Sequence, residues 1–155
     1  MKGNSQVIER LNELLAGELT AIDQYFIHSR MYENWGFGRL YERIAHEVQD
    51  ETAHADALIK RILFLEGTPD LSKREPLKVG ANVSDMLKND LELELKVIAS
   101  LRSVIAFCES AQDYQTREIL ESMLKDTEDD HTHWLEQQLG LIDRIGLQNY
   151  LQSQQ

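Results

Sequence analysis

The two halves of this chain repeat one spacing of carboxylate and imidazole, and few folds can satisfy it. Glu18 lies 33 positions before Glu51, with His54 three beyond; Glu94 lies 34 positions before Glu128, with His131 three beyond. A three-residue step returns to nearly the same face of a helix, so each Glu-x-x-His pair can grip one ion. The spacing predicts two copies of one helix hairpin, each supplying a lone Glu and a Glu-x-x-His, related by an internal pseudo-twofold axis.

The rest of the chain supports long helices. From Ser5 to about Tyr32, Ile8, Leu11, Leu14, Leu15, Ile22, Tyr25 and Phe26 keep helical spacing until Asn34-Trp35-Gly36-Phe37-Gly38 breaks it. A second stretch, Leu40 to Leu65, ends at Gly67 and Pro69. A third begins with Asn82 or Ser84 as its cap and runs to about Ala111; a fourth follows Asp113 and reaches Ile142 or Ile145, where Gly146 interrupts. Residues 67–82 hold both prolines of the chain and no periodicity. About 16 nearly extended residues reach ~50 Å, enough to run beside a ~26-residue helix of ~40 Å. The expected fold is therefore all-α: a four-helix bundle of two hairpins joined by a long crossover, residues 1–155 forming one domain. The tail from Leu147 to Gln152 forms a short C-terminal helix that must dock on the bundle to be stable.

Composition narrows the function classes. The formal net charge of −11 argues against a nucleic-acid partner, which needs clustered Lys and Arg, and favours cations as guests. The only cysteine, Cys108, leaves no intrachain disulfide and no Cys-based zinc or redox motif, which fits a reducing cytoplasm. No apolar stretch approaches the ~20 residues that cross a bilayer, and the first residues lack a signal-peptide core, so no membrane association is expected.

Each of the four glutamates falls on the apolar stripe of its helix: Glu18 among Leu11, Leu15 and Ile22, Glu51 between Ile44 and Leu58, Glu94 between Leu91 and Ile98, Glu128 between Leu124 and Leu135. Four carboxylates gathered in one core would repel one another and lose their hydration, so cations or protons must compensate them. Oxygen-rich ligation with one imidazole per ion suits iron or manganese better than structural zinc. Glu51 and Glu128 are expected as bridging carboxylates, and Glu18 and Glu94 as terminal ones. Such a pair can meet one molecule of O2 or peroxide and give up one electron from each ion. Tyr25, close by its spacing from Glu18, would either donate an electron or hydrogen-bond a ligand. Among the remaining histidines, His133 is expected to face solvent, and His28 to lie off the Glu18 direction at a subunit contact. His46 and Asp50 form an i,i+4 pair rotated away from Glu51.

The chain resembles the bacterioferritins, a ferritin-like di-iron family, over essentially its whole length. The resemblance lies in Met1-Lys2-Gly3, Asn12-Glu13-Leu14-Leu15 to Glu18, Gln24-Tyr25-Phe26, His54-Ala55-Asp56, Arg61 through Gly67, and the tail from Gly146 to Ser153. It implies a cytoplasmic, hollow 24-subunit cage, a ferroxidase centre of two iron ions per subunit, Fe(II) and O2 or H2O2 as substrates, and a ferric mineral stored inside. It also implies that the pair at His46 and Asp50 faces the cavity and can bind a further iron. One departure stands out: the family's haem methionine, next to the first metal-binding glutamate, is here Thr52, whose hydroxyl cannot replace a thioether as an axial ligand. No haem is expected in a homo-oligomer.

Two other classes use related chemistry. A peroxide-consuming dimetal enzyme would use a similar bundle, with manganese or iron, but rubrerythrin-like peroxidases need a Cys-rich module and manganese catalases are generally longer. A haem-free partner subunit of a mixed bacterioferritin shell would keep the six ligands and lack the methionine, as this chain does.

Overall fold

The computed structural model describes residues 1–155 and contains only helices. The first hairpin is α1 (Ser5–Trp35) and α2 (Gly38–Phe64), which pack on each other more extensively than any other pair. Asn4 caps α1 by accepting from the Gln6 and Val7 amides. Gly36 ends it with φ of 83°, a left-handed residue that lets the Phe37 amide reach back to the Tyr32 carbonyl. The second hairpin begins with α3 (Val83–Ser110), where Asn82, not Ser84, is the cap and accepts from the Asp85 amide. After a short turn come α4 (Tyr114–Asp126), a π-helical turn at Thr127–Thr132, and α5 (His133–Ile145), in place of the single continuous helix expected there. The short α6 (Leu147–Ser153) docks as expected: Tyr150 is fully buried and its hydroxyl donates to Gln138 Oε1.

His28 faces Asp90 while Tyr25 faces Glu94, so α1 and α3 run antiparallel and the crossover must span the bundle. It does so along α1, fastened at four positions one to two turns apart. Asn12 receives the Asp70 amide and donates to the Thr68 carbonyl, Thr20 Oγ1 accepts from the Glu75 amide, Gln24 Oε1 from the Lys78 amide, and His28 Nε2 from the Gly80 amide. Gly67 starts this path because packing demands it: a Cβ there would stand 2.6 Å from Ile8 Cγ2. The last fastener corrects the expectation for His28, which lies inside the subunit. Its Nε2 accepts a hydrogen bond from the Gly80 amide and its Nδ1 stands 2.9 Å from Asp90 Oδ1, so a buried carboxylate and the end of the crossover share one imidazole.

The apolar core is split in two. One cluster gathers Val7, Leu11, Leu15, Leu58, Ile62, Leu101 and Leu120; the other gathers Tyr25, Tyr32, Leu40, Ile44, Met86, Leu87, Leu135 and Tyr150. At ~1.5–3 kcal/mol per buried large side chain, these clusters supply the driving force that keeps four helices side by side. Between them lies a polar layer. No helix is long and apolar enough to cross a membrane.

Candidate metal centre

The polar layer consists of Glu18 from α1, Glu51 and His54 from α2, Glu94 from α3 and His131 from the π-turn, all buried. Glu51 stands at its middle. One of its oxygens, Oε2, lies 3.4 Å from His54 Nδ1, and the other, Oε1, lies 3.0 Å from His131 Nδ1. Glu18 Oε2 completes the first side, 3.6 Å from His54 Nδ1, and Glu94 Oε1 the second, 3.6 Å from His131 Nδ1. Two donor sets, Glu18–Glu51–His54 and Glu51–Glu94–His131, thus share one carboxylate. The imidazoles lie 6.0 Å apart with their planes 27° from parallel.

The unused atoms show what fits. Glu18 Oε2, Glu51 Oε2, Glu94 Oε2, His54 Nδ1 and His131 Nδ1 are all buried without a hydrogen-bond partner, and all are donors of the kind that ligate a metal ion. The outward nitrogens are engaged instead: His54 Nε2 lies 2.8 Å from Asp126 Oδ2, and His131 Nε2 lies 2.7 Å from Glu47 Oε2 and 3.2 Å from Asp50 Oδ2. Carboxylates behind the imidazoles fix the Nδ1 atoms as the inward, metal-facing ones. The donor set therefore fits hard-to-borderline divalent metal ions.

Without metal, protons carry the compensation. Burial, then the charge of Glu51, lifts the Glu18 carboxyl well above its ordinary range; burial lifts Glu94 as well, despite His131 and Tyr25 beside it. Burial pulls His54 down, but the carboxylates of Glu18 and Glu51 beside it override burial and raise it to about 11; Glu47, Glu51 and Glu94 likewise override burial and raise His131. Metal ions entering here must displace those protons. Tyr25, itself raised by burial and then by Glu94, donates a hydrogen bond to Glu94 Oε1, so the structure gives it the hydrogen-bonding geometry.

Glu128 does not join this centre, contrary to the sequence expectation. It is 36% exposed and forms an ion pair with Arg102 at 2.7 Å. The cause is the π-turn, whose wider winding spoils the three-residue coincidence of faces that an α-helix would give Glu128 and His131. The second half carries one extra residue between its lone Glu and its His, 37 positions against 36, and the π-turn absorbs it. His131 is thereby returned to the core, Thr127 is buried with its hydroxyl donating to the Met123 carbonyl, and Glu128 is left outside. The same turn brings Asp126 and Asp130 close to the imidazoles, and α2 contributes Glu47 one turn before Glu51; spacing rules built on six ligands passed over all three. His46 stands 3.5 Å from Asp50 Oδ1 on the surface, and His133 faces solvent as expected.

Residues 8–145 match the family described as Ferritin-like domain. The chain belongs to the family of bacterial ferritins and bacterioferritins. Over 154 residues, 99% of either chain, it is 62% identical to "Bacterial ferritin" of Synechocystis sp. and 58% identical to "Bacterial ferritin" of Pseudomonas aeruginosa. It is 40% identical over 150 residues to "Bacterioferritin" of Mycolicibacterium paratuberculosis, covering 97% of this chain and 94% of that one. The all-helical bundle with its short terminal helix is the architecture expected of a ferritin. The Glu and His cluster lies within the matched region.

Proposed function

We propose that this ferritin chain oxidises Fe(II) to Fe(III) at the Glu18–Glu51–His54–Glu94–His131 centre and stores the ferric product inside a hollow shell of 24 copies. The reading is carried by the five orphaned donor atoms, divided into two sets around Glu51. Iron is substrate here. Two Fe(II) ions give one electron each; with two protons, O2 becomes H2O2, or H2O2 becomes two waters. Bound side by side, the ions can supply both electrons to one oxidant molecule.

The protein's part is to bind, orient and manage protons. Glu18 and Glu94 each face one ion and Glu51 faces both, while Asp126 and Asp50 hold the imidazoles with Nδ1 inward. The phenol of Tyr25 fixes Glu94 by donating to one oxygen and leaving the other free. Flanking apolar clusters keep bulk water from the layer. Thr52 is exposed and donates its hydroxyl to the Val48 carbonyl at 2.6 Å, so neither a thioether nor a free donor is offered to haem iron. A homo-oligomer of this chain binds no haem by a methionine pair, and a mixed shell with a methionine-bearing subunit is the setting in which haem would enter. Replacement Glu94→Ala tests the reading: the shell should still assemble while rapid Fe(II) oxidation is lost. Unchanged oxidation kinetics would place the chemistry elsewhere.

A further inference from the structure

Behind His131, on the side away from the paired sites, three more carboxylates converge. Single oxygens of Glu47, Asp50 and Asp130 lie with His131 Nε2 inside a 4.8 Å span. Glu47 is 3% exposed, and its Oε2 has no properly directed hydrogen bond although it stands 2.7 Å from His131 Nε2. Three negative charges this close, one of them deeply buried, require more compensation than one imidazole provides.

The compensation comes from Arg43, one turn before Glu47 on α2. Its Nε donates to Glu47 Oε1 at 2.8 Å and its Nη2 to Asp130 Oδ1 at 2.8 Å, while the guanidinium lies 4.8 Å over the Trp134 ring. Guanidinium is planar, always charged and weakly hydrated, which suits it to bridge two carboxylates against an aromatic face. Its two bonds take the outer oxygens of Glu47 and Asp130. The inner ones, Glu47 Oε2 and Asp130 Oδ2, stay turned toward His131 beside Asp50 Oδ2.

We propose that Arg43 takes the place of a cation: it neutralises the Glu47–Asp50–Asp130 cluster and keeps metal out of the space between these three carboxylates, a place distinct from the cavity-side pair of His46 and Asp50. The cluster would take a hard divalent cation, since the donors its three acidic side chains offer are carboxylate oxygens, Glu47 Oε2 unpartnered among them. This rests on the paired centre proposed above, because the number of ions bound is counted from it. Removing the guanidinium leaves an uncompensated acidic cluster, which a divalent ion can neutralise in its stead.

The test is a count of Co(II) bound to the assembled, metal-free shell, by anaerobic titration calorimetry with anomalous scattering to locate each ion. Wild type and R43K, whose ammonium retains the charge, should show two ions at the paired centre and none between Glu47, Asp50 and Asp130, whereas R43A and R43Q should show one more ion there. The double variant R43Q/D130N should return to two, and size-exclusion chromatography shows that each shell is intact. Using both R43A and R43Q guards against one of them failing to fold. No ion between Glu47, Asp50 and Asp130 in either variant, or one already there in wild type, would overturn the proposal while leaving the paired centre standing. No tight ion in wild type would defeat the paired centre and this proposal together.

Discussion

Glu128→Ala separates what the spacing of the sequence suggests from what the π-turn does to it. The side chain is over a third exposed and its one strong contact is Arg102, itself largely in solvent. Such a pair contributes ~0–1 kcal/mol once solvent screening is allowed for, so truncation should lower the melting temperature by no more than about 4 °C in a chain of this size. No atom of Glu128 belongs to either donor set around Glu51, so binding and oxidation should change by less than about threefold. Glu94→Ala should behave oppositely, since it removes a fully buried donor facing His131 Nδ1. Loss of a mere outer-shell partner costs ~10–100-fold, so loss of an inner donor should cost at least ~100-fold. The assay is stopped-flow mixing of metal-free shells, preloaded anaerobically with two Fe(II) per chain, against oxygenated buffer, followed by near-ultraviolet absorbance. A Glu128→Ala shell as slow as Glu94→Ala would refute the reasoning, because it would mean that the carboxylate reaches iron.

Further outcomes follow from the same layer. Tyr25→Phe leaves Glu94 Oε1 buried without its donor and should cost ~1–3 kcal/mol in metal-free protein, read as a lower urea midpoint; an unchanged midpoint would show the phenol to be idle. His28→Ala leaves buried Asp90 with Gln24 as its one remaining donor and deprives Gly80 of its acceptor, so a loss of ~1–3 kcal/mol for each group left unpaired and faster proteolysis between residues 66 and 82 are expected. Protease resistance equal to wild type would mean that the other fasteners along α1 suffice. In metal-free protein Glu18 and Glu94 sit above their ordinary 4.5, and His54 and His131 above 6.5. All four hold protons more tightly folded than unfolded, so their contribution is complete at low pH and is lost as pH rises from those ordinary values through the raised ones. The chelated shell should melt lower at about pH 8.5 than at about pH 6.5, and Co(II) should raise the melting point more at the higher pH, where fewer protons must be displaced. A chelated shell that gains stability over that interval would contradict the assignment.

The helices, the crossover and most of the centre were legible because each rests on a local rule. Apolar spacing marks the long helices, Gly36 and Asn82 act at their ends through their own backbone or side chain, and Glu18, Glu51, His54 and Glu94 occupy core-facing helical positions. Glu128 was misplaced because a face rule assumes an unbroken α-helix. The clue was in the spacing itself, as 34 positions against 33, but one surplus residue does not say whether a loop, a helix end or a π-turn will absorb it. Glu47, Asp126 and Asp130 went unnoticed for a related reason. They stand behind the imidazoles, and an outer carboxylate carries no spacing signature until the ring it orients has been placed. His28 likewise reads as a peripheral histidine until the crossover is laid along α1 and Gly80 arrives at its Nε2.

The most direct test of the centre is the position of iron itself, read by anomalous scattering from crystals soaked anaerobically in Fe(II). Two peaks are expected on either side of Glu51, ~3.5–4 Å apart, one beside Glu18 and His54 Nδ1 and the other beside Glu94 and His131 Nδ1, with Glu128 still on Arg102. Iron held by Glu128, or a polar layer that stays empty while iron gathers only on the surface, would contradict the account.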